Sequence, residues 1–150
     1  LVLMSPDSRT GRFTSPWPYG RVLAAIEDLA IFCYWVHILR DAAADLSAGG
    51  DGLVYFPKSD LEVFGLTVTD LHRLKDQGRA NDAYRRLAAF EAGRARDHLD
   101  RGSKHLAGVL AVAPPVNVRA LKQLVDTYVA VLTDLSARRF DVFASPSSGD

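Results

Sequence analysis

The chain has 150 residues, 48% of them hydrophobic and 24% charged, with 18 Lys and Arg balancing 18 Asp and Glu. That suits a globular domain with its own core, and it lacks the basic excess expected of a nucleic-acid-binding protein. The single cysteine, Cys33, excludes an internal disulfide and reads as a small buried apolar residue in a reducing compartment.

No stretch approaches the roughly 18–20 apolar residues that span a bilayer, and the first residues lack the basic region and cleavage site of a signal peptide. A cytoplasmic protein is therefore expected. The chain opens on Leu1 inside an apolar run rather than on methionine, so it is expected to be part of a longer protein.

Residues 1–19 form an irregular lead-in, because Pro6, Pro16 and Pro18 forbid a regular helix. From about Gly20, apolar residues recur at three- and four-residue steps through Leu23, Ile26, Leu29, Cys33, Val36 and Leu39. This predicts one helix over 22–46, ended by Ala48-Gly-Gly-Asp-Gly52. Leu53 to Pro57 reads as a short extended segment without a strand partner. Ser59 and Glu62 form a capping-box pattern for a short helix over 60–64, which Gly65 stops.

A second short helix is predicted from Thr67 or Thr69 to about Lys75. A long one follows over 79–107, buried through Tyr84, Leu87, Phe90 and Leu99. Pro114-Pro115 separates it from a last helix over 117–137. The core side of that helix is Leu121, Leu124, Val125, Tyr128, Val131, Leu132 and Leu135. Residues 145–150 are a Ser/Pro/Gly tail expected to be disordered. Three long helices, two short ones and no strand pair define an all-α class.

Chemistry concentrates in His37-Ile-Leu-Arg40-Asp41-Ala-Ala-Ala-Asp45. Asp41 and Asp45 are four residues apart, so they share one face of a helix. The same face continues backwards through His37, Tyr34 and Glu27, making a polar seam between apolar flanks. Two carboxylates so placed can hold a hard divalent cation whose shell is completed by water and phosphate oxygens. Taken alone, an i, i+4 aspartate pair is most often a solvated helix face. Whether this seam faces a cavity or solvent separates the two readings.

The run from His37 to Asp45, followed by Gly52-Leu-Val-Tyr55-Phe-Pro57, resembles the second aspartate-rich motif of squalene and phytoene synthases. In that family the helix reads Asn-Ile-Leu-Arg-Asp-x-x-Glu-Asp and the loop Gly-Arg-Val-Tyr-Leu-Pro. Asp60-Leu61 to Phe64-Gly65-Leu66, Arg94-Ala95-Arg96 and Arg139-Phe-Asp-Val-Phe143 resemble further family segments in the right order. The last of these corresponds to a Gly-Tyr-Asp-Val-Phe ending. The likeness covers about residues 20–145.

The resemblance implies the C-terminal part of an isoprenoid-synthase-type helical bundle, here partial. It implies a transferase that joins two allylic prenyl diphosphates head-to-head, as in carotenoid and other isoprenoid biosynthesis. Each diphosphate is ionised with the help of Mg²⁺, or Mn²⁺, in an apolar cavity. On this basis Asp41 and Asp45 are the catalytic, metal-binding aspartates, with His37 beside them. Tyr34, His37, Arg40 and Tyr55 are the substrate-binding residues. Tyr55 matches a loop tyrosine that closes over the site, and packing at the helix end is the competing assignment.

Several positions depart from the family pattern. His37 replaces an asparagine, Tyr34 a glutamine, Ala44 an acidic residue and Leu53 an arginine. His98 and Leu99 stand in place of an aromatic pair, and the first aspartate-rich motif is absent. Imidazole is a poorer ligand for Mg²⁺ than an amide oxygen. This chain by itself is therefore expected to be inactive, and to associate with itself or with a partner that supplies the rest. A non-catalytic assembly module of the same fold is the alternative. His72, His98 and His105 read as surface or capping histidines, and Arg85, Arg86, Arg94, Arg96 and Arg101 as a solvated face able to touch anionic lipid.

Overall fold

The computed structural model describes residues 5–6, 13–14, 19–48, 53–110 and 115–144, with side chains placed over 26–48, 53–107 and 118–144. Five helices dominate: α1 (Tyr19–Asp45), α2 (Lys58–Val63), α3 (Val68–Gln77), α4 (Asp82–Leu110) and α5 (Pro115–Ala137). Among the described residues of the lead-in, β1 (Ser5–Pro6) and β2 (Phe13–Thr14) form a two-residue antiparallel pair where no strand pair is expected. The class remains all-α. The expected tail, residues 145–150, and the glycine loop at 49–52 lie outside the described residues.

Helices α1 and α4 form the framework. They run antiparallel, since Leu29 meets Gly102 at one end while Ile38 and Ala42 share a cavity wall with Tyr84 at the other. The α4 side of this seam includes Ala88, Ala92, Ala95 and Gly102, small enough for two backbones to approach closely. Phe32, Val36, Leu39 and Leu87 fill the core, each contributing roughly 1.5–3 kcal/mol through burial. Helix α5 closes one side through Leu132 and Leu135, and Arg96 Nη2 donates to Ser136 Oγ across 2.9 Å.

The cap of α2 differs from the sequence expectation. The Pro57 carbonyl accepts from the N–H groups of Asp60 and Leu61, so the helix starts at Lys58 and Ser59 is already inside it. No side chain caps it. Ser59 instead bonds Asp60 Oδ1 at 3.4 Å. The true capping box belongs to α3, where Thr67 Oγ1 accepts from the Asp70 N–H and Asp70 Oδ2 accepts from the Thr67 N–H.

Four further expectations are corrected. Phe90 is 45% exposed rather than core, its ring flanked by Phe64 and Arg94. Leu124 is also exposed, because its face of α5 borders a groove. The α4 arginines are not merely solvated. Arg85 reaches Asp141 (3.4 Å), Arg94 reaches Asp60 (2.6 Å), and Arg101 reaches Asp28 (3.3 Å), so they link α4 to other segments. His98 is likewise a half-buried bridge to α1, with Nδ1 2.7 Å from Asp28 Oδ1. His98 and Arg101 hold the Asp28 carboxyl below its usual range.

Candidate functional site

The predicted seam forms, but its members divide into two environments. His37, Arg40 and Asp41 make one network. Arg40 grips Asp41 with a two-point fork, Nε donating to Oδ1 and Nη2 to Oδ2, both at 2.7 Å. His37 Nδ1 lies 3.1 Å from Asp41 Oδ2 and 2.9 Å from Arg40 Nη2. A bidentate, charge-assisted pair of this kind is the strong form of an ion pair. It holds the Asp41 carboxyl below the usual carboxylate range and raises the Arg40 guanidinium further.

Asp45 is different. It is half-buried, and its carboxylate makes no hydrogen bond to a described residue. Its backbone carbonyl accepts from the Ala48 and Leu53 N–H groups, at 3.0 and 2.8 Å, which ties the start of the 53–57 loop to the end of α1. Lys75 of α3 reaches the Leu46 carbonyl beside it. Tyr55 is carried by this loop and lines the same small cavity as Asp45, a space of about 10 Å³ that also touches Phe56 and Tyr84. That volume suits about one water molecule.

Tyr34, 55% exposed, belongs to a third feature. A groove of about 620 Å³ runs between α1 and α5, walled by Ile26, Leu29, Ala30, Cys33, Tyr34 and His37 on one side and by Leu121, Leu124, Val125 and Tyr128 on the other. Its lining is mainly apolar. Burial pushes the Cys33 thiol up, in keeping with a packing role. His37 joins the two features, since it lines the groove and touches Asp41. The polar seam thus borders a cavity at Tyr34 and His37 instead of facing open solvent along its whole length.

Sequence patterning assigned Tyr128, Leu121 and Cys33 to the core and missed their part in the groove. Only the placement of α5 beside α1 gives them that role. The aspartate-bearing helix spacing was the signal that marked α1 itself. Among the described residues, no three His, Cys, Asp or Glu side chains gather to form a complete metal site. No helix among them is long and apolar enough to cross a membrane.

An antiparallel helical framework, in which His37 links an apolar groove to Asp41, defines an all-α protein. The family model for squalene/phytoene synthase matches residues 11–148, and the chain belongs to the squalene/phytoene synthase family, whose members are transferases of isoprenoid biosynthesis. No curated protein matches the chain.

Proposed function

We propose that this chain supplies one metal–diphosphate centre and one prenyl groove to a head-to-head prenyl transfer between two allylic diphosphates. The carrying observation is the arrangement around His37, where the apolar groove meets the network that contains Asp41. The donor set fits a hard divalent cation. Asp45 offers a carboxylate without a described partner, and Asp41 offers a second one turn earlier on the same helix.

Asp41 and Asp45 would hold Mg²⁺, with diphosphate oxygens and water completing its shell. An ion held there would supply positive charge to offset the negative charge developing on a leaving diphosphate. Arg40, already oriented by its fork on Asp41, faces the same anion with a planar pair of donors. His37 weakens the site for Mg²⁺ and favours Mn²⁺ or a softer ion. Tyr34 and the groove walls bury the prenyl tail and exclude water from the allylic cation. Tyr55 closes the Asp45 side of the site.

One centre activates one diphosphate. Condensation therefore needs a second centre outside these 150 residues, whether elsewhere in the same polypeptide or on a partner, and these residues alone are inactive. The activity belongs in the cytoplasm, with peripheral membrane contact for an apolar product.

Calorimetry with a non-hydrolysable prenyl diphosphate analogue tests the assignment. Metal and analogue should bind together, each strengthening the other, and Asp41→Asn and Asp45→Asn should each weaken binding at least about tenfold. Metal-independent binding, or binding unchanged in both variants, would refute it and leave the non-catalytic assembly module.

A further inference from the structure

Glu91 is a fully buried charged residue in the middle of α4. It sits against α2, where Asp60 is also largely buried. A single guanidinium nitrogen serves both acids. Arg94 Nη1 is 2.6 Å from Asp60 Oδ2, 3.2 Å from Glu91 Oε2 and 3.4 Å from Glu91 Oε1. Arg94 is itself fixed from outside, its guanidinium 4.6 Å from the centre of the Phe90 ring.

Charge counting gives the consequence. Two carboxylates facing one guanidinium leave a surplus negative charge beside a Glu91 that is fully buried. A buried unpaired charge is costly, and two close carboxylates relieve the strain by retaining a proton. The groups that face Glu91 are Asp60 from α2 and Arg94 from α4. Lys58 and Glu62, the other charged residues of α2, are exposed and pair with each other at 3.9 Å.

We propose that Glu91 and Asp60 share one proton across the α2–α4 seam, so that α2 is clamped to α4 in mildly acidic solution and loosens as the pH rises to neutrality. Protonated Glu91 donates its O–H to Asp60, and Arg94 neutralises the remaining charge. When the proton leaves, the carboxylates repel and Arg94 can compensate only one. Because α2 begins at Lys58, directly after the loop that carries Tyr55, the clamp governs how firmly that loop lies on the end of α1.

The direction follows from linkage. Burial, with Asp60 second, pushes the Glu91 carboxyl from 4.5 up to about 7. The docked state therefore binds the extra proton between those values. Docking is strongest below about 4.5, weakens by at most about tenfold per pH unit, and levels off above about 7. The full change is at most on the order of 10²-fold. This inference stands independently of the proposed activity.

Hydrogen exchange of the α2 peptide, corrected for intrinsic rates and referenced to α3, tests it between pH 5 and 8. Wild-type protection of residues 58–63 should fall at least several-fold between pH 5 and about 7 and then level. Glu91→Gln should remove the slope and keep α2 protected at pH 8, since its amide still donates to Asp60. Asp60→Asn should restore one carboxylate per guanidinium and flatten the profile too. Wild-type protection independent of pH, or an unchanged slope in Glu91→Gln, would overturn the proposal. If neither variant folds, carbon-13 titration of the wild-type carboxyls decides. A Glu91 midpoint near 7 supports the shared proton, and one in the ordinary glutamate range refutes it.

Discussion

Replacing Gly102 with alanine probes the closest approach in the framework that orients the aspartate helix. A methyl group there would sit 2.8 Å from Leu29 Cγ, 3.0 Å from its Cδ2 and 3.1 Å from its backbone nitrogen. On an open helix face, Gly→Ala stabilises by about 1 kcal/mol. Here that gain is opposed by overpacking, which typically costs about 1–3 kcal/mol. A rotamer change can move Cδ2, but Cγ is tied closely to the backbone and the nitrogen belongs to it. Relief therefore requires α1 itself to shift.

The expected net effect of Gly102→Ala is a loss of up to about 2 kcal/mol, or up to roughly 8 °C in Tm for a chain of this size. Urea and thermal unfolding measure it. Gly93→Ala on the same helix is the control, because no atom of the described residues lies within 4 Å of its added methyl, and it should stabilise by about 0.5–1 kcal/mol. Leu29→Ala should cost less in the Gly102→Ala background than in the wild type, since the new methyl occupies part of the space it leaves. Equal stabilisation by Gly102→Ala and Gly93→Ala would refute the close α1–α4 crossing.

The Tyr84 hydroxyl is buried with no hydrogen-bond partner among the described residues, and its ring packs edge-on against Phe56 and Phe143, with centroids 6.1 and 4.8 Å away. Tyr84→Phe should therefore stabilise by about 1 kcal/mol in denaturant unfolding, and a loss of that size would mean that the hydroxyl is satisfied. Arg139 adopts φ 53°, a left-handed conformation unfavourable to a residue with a Cβ, and its side chain is exposed. Arg139→Gly should gain about 0.5 kcal/mol, whereas Phe140→Gly, at φ 57° but with a buried ring, should lose stability. A destabilised Arg139→Gly would show that the arginine side chain offsets the backbone strain.

Much of the helical order is written locally. The three- and four-residue apolar steps of α1 depend only on the pitch of a helix, and so does the stacking of Asp41 under Asp45. The same holds for the breaks at the glycine loop and at Pro114-Pro115. Motif order, too, resides in covalent sequence, and the family followed from it.

The misread positions are those where a group outside the simple apolar period intervenes. Ser59 and Thr67 carry similar capping patterns, yet only Thr67 caps, because the Pro57 carbonyl starts α2 ahead of Ser59. Phe90 has the spacing of a core residue but lies at the edge, where Arg94 and Phe64 meet it.

The sequence by itself determined the helices, their order and the aspartate-bearing face, because periodicity and turn chemistry act between covalent neighbours. Only the tertiary structure decided that α5 lies beside α1 to wall a groove at His37. It also decided that Arg40 forks onto Asp41 while Asp45 has no described partner, and that Glu91 meets Asp60 over one arginine. Those outcomes depend on which helix faces meet and how closely, which is set by side-chain volume and charge across the whole core.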